Sequence, residues 1–275
     1  MAVVAVHVLA DNRAHDDRLA FEHGWSAWID CGDDGGLLWD TGQTGVFQEN
    51  ARTLGLDPVR ARAVGLSHGH HDHAGGLPDL LAAGYRGPVF GHADVLSRRY
   101  SRRGGTTFRS IGMGDGRLAG GIPGFAPVAD TRVLAPGVVM VTAIPRRPGF
   151  FTATDNLFRD TAGQAPDDVP DDACLVLDGA RGPLVLLGCC HAGLANTLAH
   201  VRERLDLSRI ETVAGGLHLG GAGEKALAQT ARALAEHGVR RLYPGHCTGQ
   251  GGVAFLRDAF AGQTVESGSG LVITP

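Results

Sequence analysis

The chain has 275 residues, 43% of them hydrophobic, which is enough to bury the core of one large domain or two small ones. Its formal net charge of −4 gives no reason to expect nucleic acid as a partner. Five cysteines at no disulfide-framework spacing are typical of reduced thiols in a cytoplasmic protein. No run reaches the roughly 20 apolar residues of a transmembrane helix. The N-terminal MAVVAVHVLADN lacks a basic n-region, so we interpret it as a first strand.

In the first third of the chain, segments with a strand-like hydrophobic pattern alternate with segments that have a helical one. Strand-like alternation and Asp-Gly turn signals predict strands, and spacing of three to four predicts helices. The successive predictions are a strand at 3–9, a hairpin at 25–42 whose second strand ends at Asp40, a helix at 46–56, a strand at 62–67, a helix at 76–84 and a strand at 87–92.

The strand at 62–67 runs directly into LSHGHHDHAGGL, where four of the chain's 13 histidines occupy six positions. His68 and His70 are two residues apart, so on extended backbone their side chains point to one side and can converge on an ion. Asp72 and His73 follow where a helix is expected to begin, and they are candidates for holding a second ion. Such nitrogen and oxygen ligand sets suit zinc, iron or manganese. A patch of solvated histidines is the alternative, but it gives the carboxylate no purpose.

Residues 93–170 are rich in glycine and proline, and they predict an irregular insertion or lid. Strands and helices then alternate again, with a strand pair at 173–189, helices at 195–207 and 224–239, and strands at 210–219 and 240–249. Three further histidines each follow a predicted strand beside glycines: His191 in GCCHAG, His218 in GGLHLGG and His246 in YPGHCTG. They are candidates to complete the site, because one cluster rarely supplies a whole coordination shell.

The pattern HxHxDH at 68–73 resembles the signature of the metallo-β-lactamase superfamily. EHGWSAWID, LLWDTGQT, GCCHAGLANTL, GGLHL and PGHCTG are similar to ordered blocks of one branch, the 7,8-dihydropterin-6-yl-methyl-4-(β-D-ribofuranosyl)aminobenzene 5′-phosphate synthase-like metal-dependent hydrolases. The resemblance implies an α/β fold, namely an αββα sandwich of two facing mixed β-sheets flanked by helices. It implies a single domain over residues 1–275, with the 93–170 insertion and the metal site at one edge.

The resemblance also implies the ligands of two ions. His68 and His70 would share the first ion with His191, and Asp72, His73 and His246 would hold the second. Asp40 matches the aspartate that supports the metal loop through hydrogen bonds without binding metal.

The chain departs from the superfamily pattern where a Gly-Asp pair usually supplies a bridging carboxylate. GCCHAG has Cys189 and Cys190 there. Either His191 completes the first ion alone, or one of these cysteines also lies near the bridging position. A one-ion enzyme is an alternative, and both cysteines can instead be small buried residues that close a strand.

Zinc lowers the pKa of bound water to about 7, so the resemblance implies hydrolysis by metal-bound hydroxide, or metal-assisted departure of a leaving group. Asp72 would orient the nucleophile and accept its proton. His218 would contact an oxyanion or leaving group, unless it only closes a glycine-rich turn. Arg146 in IPRRPGF is the best candidate for a substrate phosphate, because guanidinium groups match its oxygens.

We therefore expect a cytoplasmic metal-dependent hydrolase or transferase that acts on an anionic small molecule, such as a pterin-like or nucleotide-like phosphate. It would use one or two zinc ions, with iron or manganese as alternatives. We expect no nucleic-acid or membrane partner, and a homo-oligomer is compatible with the sequence. The competing hypotheses are an iron-dependent redox enzyme of the same fold and a non-catalytic ligand-binding sensor. The arginines of the 93–170 insertion could also bind a phosphate. A solvated basic loop is the alternative for four of them, namely Arg98, Arg99, Arg102 and Arg103.

Overall fold

The computed structural model describes residues 3–118 and 120–275, which form two seven-stranded mixed sheets, a small three-stranded sheet and six α-helices within those ranges. The strands are β1 (Ala5–Ala10), β2 (Ser26–Asp30), β3 (Gly36–Trp39), β4 (Val64–Gly65), β5 (Val89–Gly91), β6 (Tyr100–Gly104), β7 (Thr107–Ser110), β8 (Phe125–Pro127), β9 (Thr131–Ala135), β10 (Val138–Val141), β11 (Leu157–Phe158), β12 (Cys174–Leu177), β13 (Leu184–Leu187), β14 (Thr212–Gly216), β15 (Arg241–Gly245), β16 (Gln263–Thr264) and β17 (Val272–Ile273). The helices are α1 (Val46–Thr53), α2 (His71–Ala74), α3 (Leu77–Ala82), α4 (Leu194–Leu205), α5 (Glu224–Glu236) and α6 (Gly249–Ala259).

The two large sheets have similar topologies. The first has the order β17-β1-β2-β3-β4-β5-β8, with antiparallel pairs up to β3 and parallel pairs from there on. The second has the order β16-β15-β14-β13-β12-β10-β9, parallel from β16 to β13 and antiparallel beyond. Within each parallel set, all strands end at one edge of the sheet.

The sheets pack face to face through apolar side chains that alternate along their strands. Ile29 and Trp39 from the first sheet belong to the same buried cluster as Met140, Leu175 and Leu186 from the second. Two further apolar clusters lie on the outer faces, where α1 and α3 cover the first sheet and α4, α5 and α6 cover the second. The predicted αββα sandwich is confirmed.

The long helices follow their sequence periodicity. In α5 the buried residues are Ala226, Thr230, Ala233 and Leu234, a spacing of three to four that forms one stripe facing the core. The helix ends before Gly238, whose φ of 73° is a left-handed conformation that glycine adopts readily. No helix within 3–118 or 120–275 is long and apolar enough to cross a membrane.

Residues 93–170, predicted to be an irregular insertion or lid, contain more regular structure than their composition suggests. β8 extends the first large sheet, β9 and β10 extend the second, and β6, β7 and β11 form the small sheet. These strands are two to five residues long and are separated by turns rich in glycine and proline, so no periodic run is long enough to reveal them. Helix α6 was also not predicted, because three of its first four residues are glycines.

Candidate metal centre

The candidate ligands lie beyond strand ends of both large sheets. β4 leads into His68 and His70, and α2 carries Asp72 and His73. In the second sheet, β13 precedes Cys189, Cys190 and His191, β14 precedes His218, and β15 precedes His246. Because the strand ends of the two facing sheets meet at one edge, ligands that are far apart in sequence come together there.

His68, His70 and His191, here called the first ligand group, place one ring nitrogen each within 4.8 Å of one another. His68 Nε2 lies 3.0 Å from His70 Nδ1, and all three side chains are buried. Burial lowers the pKa of each ring well below its ordinary value, which favours the neutral imidazole that binds metals. His70 Nε2 and His191 Nε2 are buried and have no hydrogen-bond partner among the described residues. A metal ion would satisfy both nitrogens.

Asp72, His73 and His246, here called the second ligand group, lie beside the first. His73 Nε2 is 3.1 Å from His246 Nε2, and His246 Nε2 is 3.4 Å from Asp72 Oδ2. His23 Nε2 is a further neighbour of Asp72 Oδ2, at 3.3 Å. Burial raises the pKa of Asp72, but the hydrogen bonds from His23 and His246 outweigh it and hold this pKa well below its ordinary value. Asp72 is therefore a carboxylate at neutral pH.

Oxygen atoms orient most of these imidazole rings. His68 Nδ1 lies 2.9 Å from Ser67 Oγ, and His73 Nδ1 lies 2.8 Å from Asp40 Oδ2. His191 Nδ1 lies 2.6 Å from the Ala153 carbonyl oxygen, and His246 Nδ1 lies 2.9 Å from Asn12 Oδ1. The Asp40 carboxylate and the Ala153 carbonyl can only accept hydrogen bonds, so Nδ1 of His73 and of His191 carries the proton. Nε2 of each ring therefore keeps a lone pair for a cation. The donor set therefore fits a metal centre.

Cys189 lies between the two ligand groups. Its Sγ is 3.1 Å from His73 Nε2, and it falls within 4.8 Å of ligand atoms of both His68 and His73. Burial raises the pKa of its thiol well above the ordinary value, and a neighbouring cation would reverse this shift, because a coordinating thiol is deprotonated. Cys190 points elsewhere: it belongs to the apolar cluster under α4, with Sγ 3.4 Å from Thr197 Oγ1.

Asp40 lies directly after β3 and beneath the His68–His73 loop. Oδ1 accepts a hydrogen bond from the Ser67 N–H at 2.7 Å, and Oδ2 lies 2.6 Å from Ser67 Oγ and 2.8 Å from His73 Nδ1. Asp40 is fully buried and belongs to none of the ligand groups. Asp40 thus contacts the loop that carries the ligands, and its supporting role stays a prediction.

His218 and Cys247 form a third group with Cys189, whose ligand atoms also lie within 4.8 Å of one another. The His218 ring centroid is 4.5 Å from that of His191, and His218 Nδ1 is buried with no hydrogen-bond partner among the described residues. Burial lowers the pKa of His218, but the negative charge of the neighbouring Cys247 thiolate raises it above its ordinary value overall. His218 is thus placed to exchange a proton beside the first ligand group.

Comparisons with known proteins identify the family of this chain. A family model of the metallo-beta-lactamase superfamily matches residues 20–246. The chain belongs to this superfamily. Its curated relatives include the 7,8-dihydropterin-6-methyl-4-(beta-D-ribofuranosyl)-aminobenzene-5'-phosphate synthase of Methanocaldococcus jannaschii, which is 24% identical over 269 residues, covering 90% of this chain and 88% of the relative.

Two solved structures share the fold. Tm1679, a metal-dependent hydrolase of the beta-lactamase superfamily, superimposes with a TM-score of 0.83 at 28% identity, and the match covers 99% of both chains. Zn(2+)-bound PqqB from Methylobacterium extorquens matches with a TM-score of 0.58 at 13% identity, covering 98% of this chain and all of that chain (100%). The predicted superfamily is confirmed.

A cleft of about 390 Å³ opens over the metal centre of this superfamily member. His70, Asp72, His191 and His218 form part of its wall, and the small sheet contributes Arg102, Arg103 and Arg109. The Arg102 guanidinium lies over the Phe158 ring, with Cζ 4.4 Å from the ring centroid. Arg103 and Arg109 are exposed, and no described carboxylate lies within 4.0 Å of their guanidinium groups. Both remain available for an anionic ligand.

Arg146, predicted to bind the substrate, does not line this cleft. Its guanidinium instead donates hydrogen bonds to the backbone carbonyls of Ile144, Asp168 and Val169, the first two at 2.6 and 2.9 Å. Arg99 is not part of a solvated loop either, since it is fully buried and paired with carboxylates. In these two places long-range partners, which the sequence does not reveal, decide the position of the side chain.

Two residues that sequence reasoning missed hold His246. Asp11 Oδ1 accepts a hydrogen bond from the His246 N–H at 2.8 Å, and Asn12 Oδ1 lies 2.9 Å from His246 Nδ1. Both directly follow β1, so they lie beyond a strand end like the ligands themselves. The polar pair after the first apolar run is the signal that could have identified them.

Proposed function

We propose that this chain is a zinc-dependent hydrolase of small phosphate esters. The proposal rests on the two adjacent ligand groups, with Cys189 between them, and on the arginine-lined cleft above them. Histidine, carboxylate and thiolate ligands occur together in zinc sites, and a thiolate favours zinc over manganese or magnesium.

The two ligand groups would each hold one ion, with Cys189 between them. An ion bound there would lower the pKa of its water toward 7 and polarise a phosphoryl oxygen. Asp72, kept ionised by His23 and His246, would orient the attacking water and accept its proton. His218, which lines the cleft, would donate a proton to the leaving oxygen.

Arg103 and Arg109 support an anionic substrate. They lie on the small sheet, have no carboxylate partner within the part of the chain that the structure describes, and line the same cleft as the ligand groups. The name of the Methanocaldococcus jannaschii relative includes a ribofuranosyl 5'-phosphate, which is a substituent of this class. The cleft volume suits a small molecule. A transferase that forms a related phosphate-bearing product is the second candidate, and the same relative favours it.

The test is a panel of phosphomonoesters, phosphodiesters, lactones and thioesters, offered to the zinc-loaded protein. We expect turnover of a phosphate ester that is lost in His70→Ala and retained in His237→Ala, a matched substitution at the end of α5. Condensation with release of pyrophosphate, without ester hydrolysis, would support the transferase. Activity that survives His70→Ala, or oxygen uptake that requires iron, would overturn the proposal.

A further inference from the structure

Two consecutive aspartates just before β12 reach the two loops that supply the first ligand group. Asp171 Oδ2 accepts a hydrogen bond from the N–H of Gly69, between His68 and His70, at 2.8 Å. Asp172 Oδ2 accepts one from the N–H of Ala192, the residue after His191, at 2.7 Å. Both carboxyl groups are buried, and neither belongs to a ligand group. Adjacent residues thus connect the two loops.

A fully buried arginine fixes Asp171 from the other side. Arg99 Nη2 donates to Asp171 Oδ1 at 2.6 Å, and Arg99 Nη1 donates to Asp167 Oδ2 at 3.0 Å. Hydrogen bonds between ionised groups are short and strong, and a buried charge is strongly destabilising once its partner is removed. Asp171 is therefore held in one orientation, with Oδ2 directed at Gly69.

The loop at Gly69 has no space to shift. A Cβ atom at this position would lie only 1.9 Å from the carbonyl oxygen of Val95, so the backbones are in close contact. The Gly69 N–H is buried and needs a hydrogen-bond acceptor, which Asp171 supplies. Packing and hydrogen bonding together place His68 and His70.

We propose that Asp171 and Asp172 are positioning residues for the first ion. They fix the separation between the His68–His70 loop and the His191 loop, so that three imidazoles from two sheets meet at ligand distance. The inference rests on the proposed function in one respect, namely that the first ligand group binds a metal ion. Residues that orient ligands typically contribute about 10- to 100-fold to metal affinity.

The experiment measures zinc affinity and stoichiometry by chelator competition in Asp172→Ala, which removes the acceptor, and in Asp172→Asn, which keeps one. Asp168→Ala, at an exposed neighbour, is the matched control. We expect zinc binding at one of two sites to weaken by about 10- to 100-fold in Asp172→Ala, and to be largely restored in Asp172→Asn. If Asp172→Ala does not fold, as judged by circular dichroism, Asp172→Ser replaces it.

A double variant separates a positioning role from general destabilisation. His70→Ala should abolish binding at the same site, so adding Asp172→Ala should cause no further loss of zinc. If His70→Ala lowers the zinc content but Asp172→Ala behaves like Asp168→Ala, the positioning role is overturned while the metal site stands. If His70→Ala leaves the zinc content unchanged, the metal assignment itself fails. An equal loss in Asp172→Asn and Asp172→Ala would also contradict the inference.

Discussion

The orientation of single imidazole rings determines what this centre can bind. Four of its five histidines hold Nδ1 against an oxygen atom, and the partners come from four different parts of the chain. For His73 and His191 this contact selects the tautomer whose Nε2 keeps a lone pair for a cation. The oxygen partners therefore matter almost as much as the ligands.

Asp40→Asn tests this at His73. The new amide can still accept from Ser67, but its NH₂ group would face the protonated Nδ1 of His73 and favour the wrong tautomer. We expect zinc affinity to fall by about 10- to 100-fold, measured by chelator competition. Asp30→Asn, at the end of the neighbouring strand β2, is the control and should leave affinity unchanged. Equal affinities for both variants would show that Asp40 does not set the tautomer.

Asp172 gives a pH dependence of stability. Burial raises its pKa from 3.8 to about 6, so the folded protein binds a proton that the unfolded chain releases between these values. The free energy of unfolding should therefore fall as pH rises from about 4 to about 6, by about 3 kcal/mol, and should not recover above that range. Urea unfolding of chelator-treated wild type and Asp172→Asn measures it. The variant should lack this contribution. If the free energy of unfolding depends on pH in the same way in both proteins, the raised pKa of Asp172 is contradicted.

At the scale of elements, the small sheet of β6, β7 and β11 turns the 93–170 segment into one wall of the cleft. Ser101 and Arg109 are direct partners across β6 and β7, and the register shifts between Arg102 and Gly104, where Arg103 lies. Arg102 packs against the rings of Phe108 and Phe158 and also lines the cleft. The small sheet thus presents three arginines to the cleft, and two of them, Arg103 and Arg109, have no carboxylate within 4.0 Å among the described residues.

Arg103→Ala and Arg109→Ala should weaken substrate binding without affecting the ions. We expect KM for an anionic ester to rise by about 10-fold in each, with kcat nearly unchanged, because a charged hydrogen bond contributes about 1.5–3 kcal/mol. Arg52→Ala, on the exposed side of α1, is the control. Initial-rate kinetics on the active ester from the panel provide the measurement. An unchanged KM in both variants would place the anion elsewhere.

Sequence periodicity predicted the elements that carry the ligands but not the contacts between distant side chains. The strand before His68 and the helices at 194–205 and 224–236 have clear apolar patterns, and the histidines stand at strand ends as expected. The roles of Arg99 and Asp171 were invisible, because each depends on a partner 72 residues away. Cys189 and Cys190 are adjacent in the sequence and cannot be told apart from it. In the structure the Cys189 thiol faces the ligands, whereas the Cys190 thiol faces α4.

For the whole molecule, the candidate metal centre lies where the two sheets of the sandwich meet. His68, His70 and His73 follow strands of the first sheet, whereas Cys189, His191 and His246 follow strands of the second. Trp39 makes a further connection near this edge, with its Nε1–H donating to the Leu187 carbonyl at 3.2 Å. An ion bound here would hold both sheets together only in the folded state.

Metal removal should consequently destabilise the protein. An ion that binds only the folded state, at about 100 times its dissociation constant, adds about 2.7 kcal/mol to the free energy of unfolding. We expect the Tm to fall after chelation and to recover on adding zinc. The double variant His70→Ala/His246→Ala should show almost no response. A Tm that is insensitive to chelation would mean that the ions do not connect the sheets.

The most direct test of the central claim is the zinc content per chain, measured by mass spectrometry of the metal in wild type, His70→Ala and His246→Ala. We expect two ions per wild-type chain and one in each variant, with ester hydrolysis lost in both. A wild-type chain that binds no zinc, or a content that neither substitution changes, would contradict it.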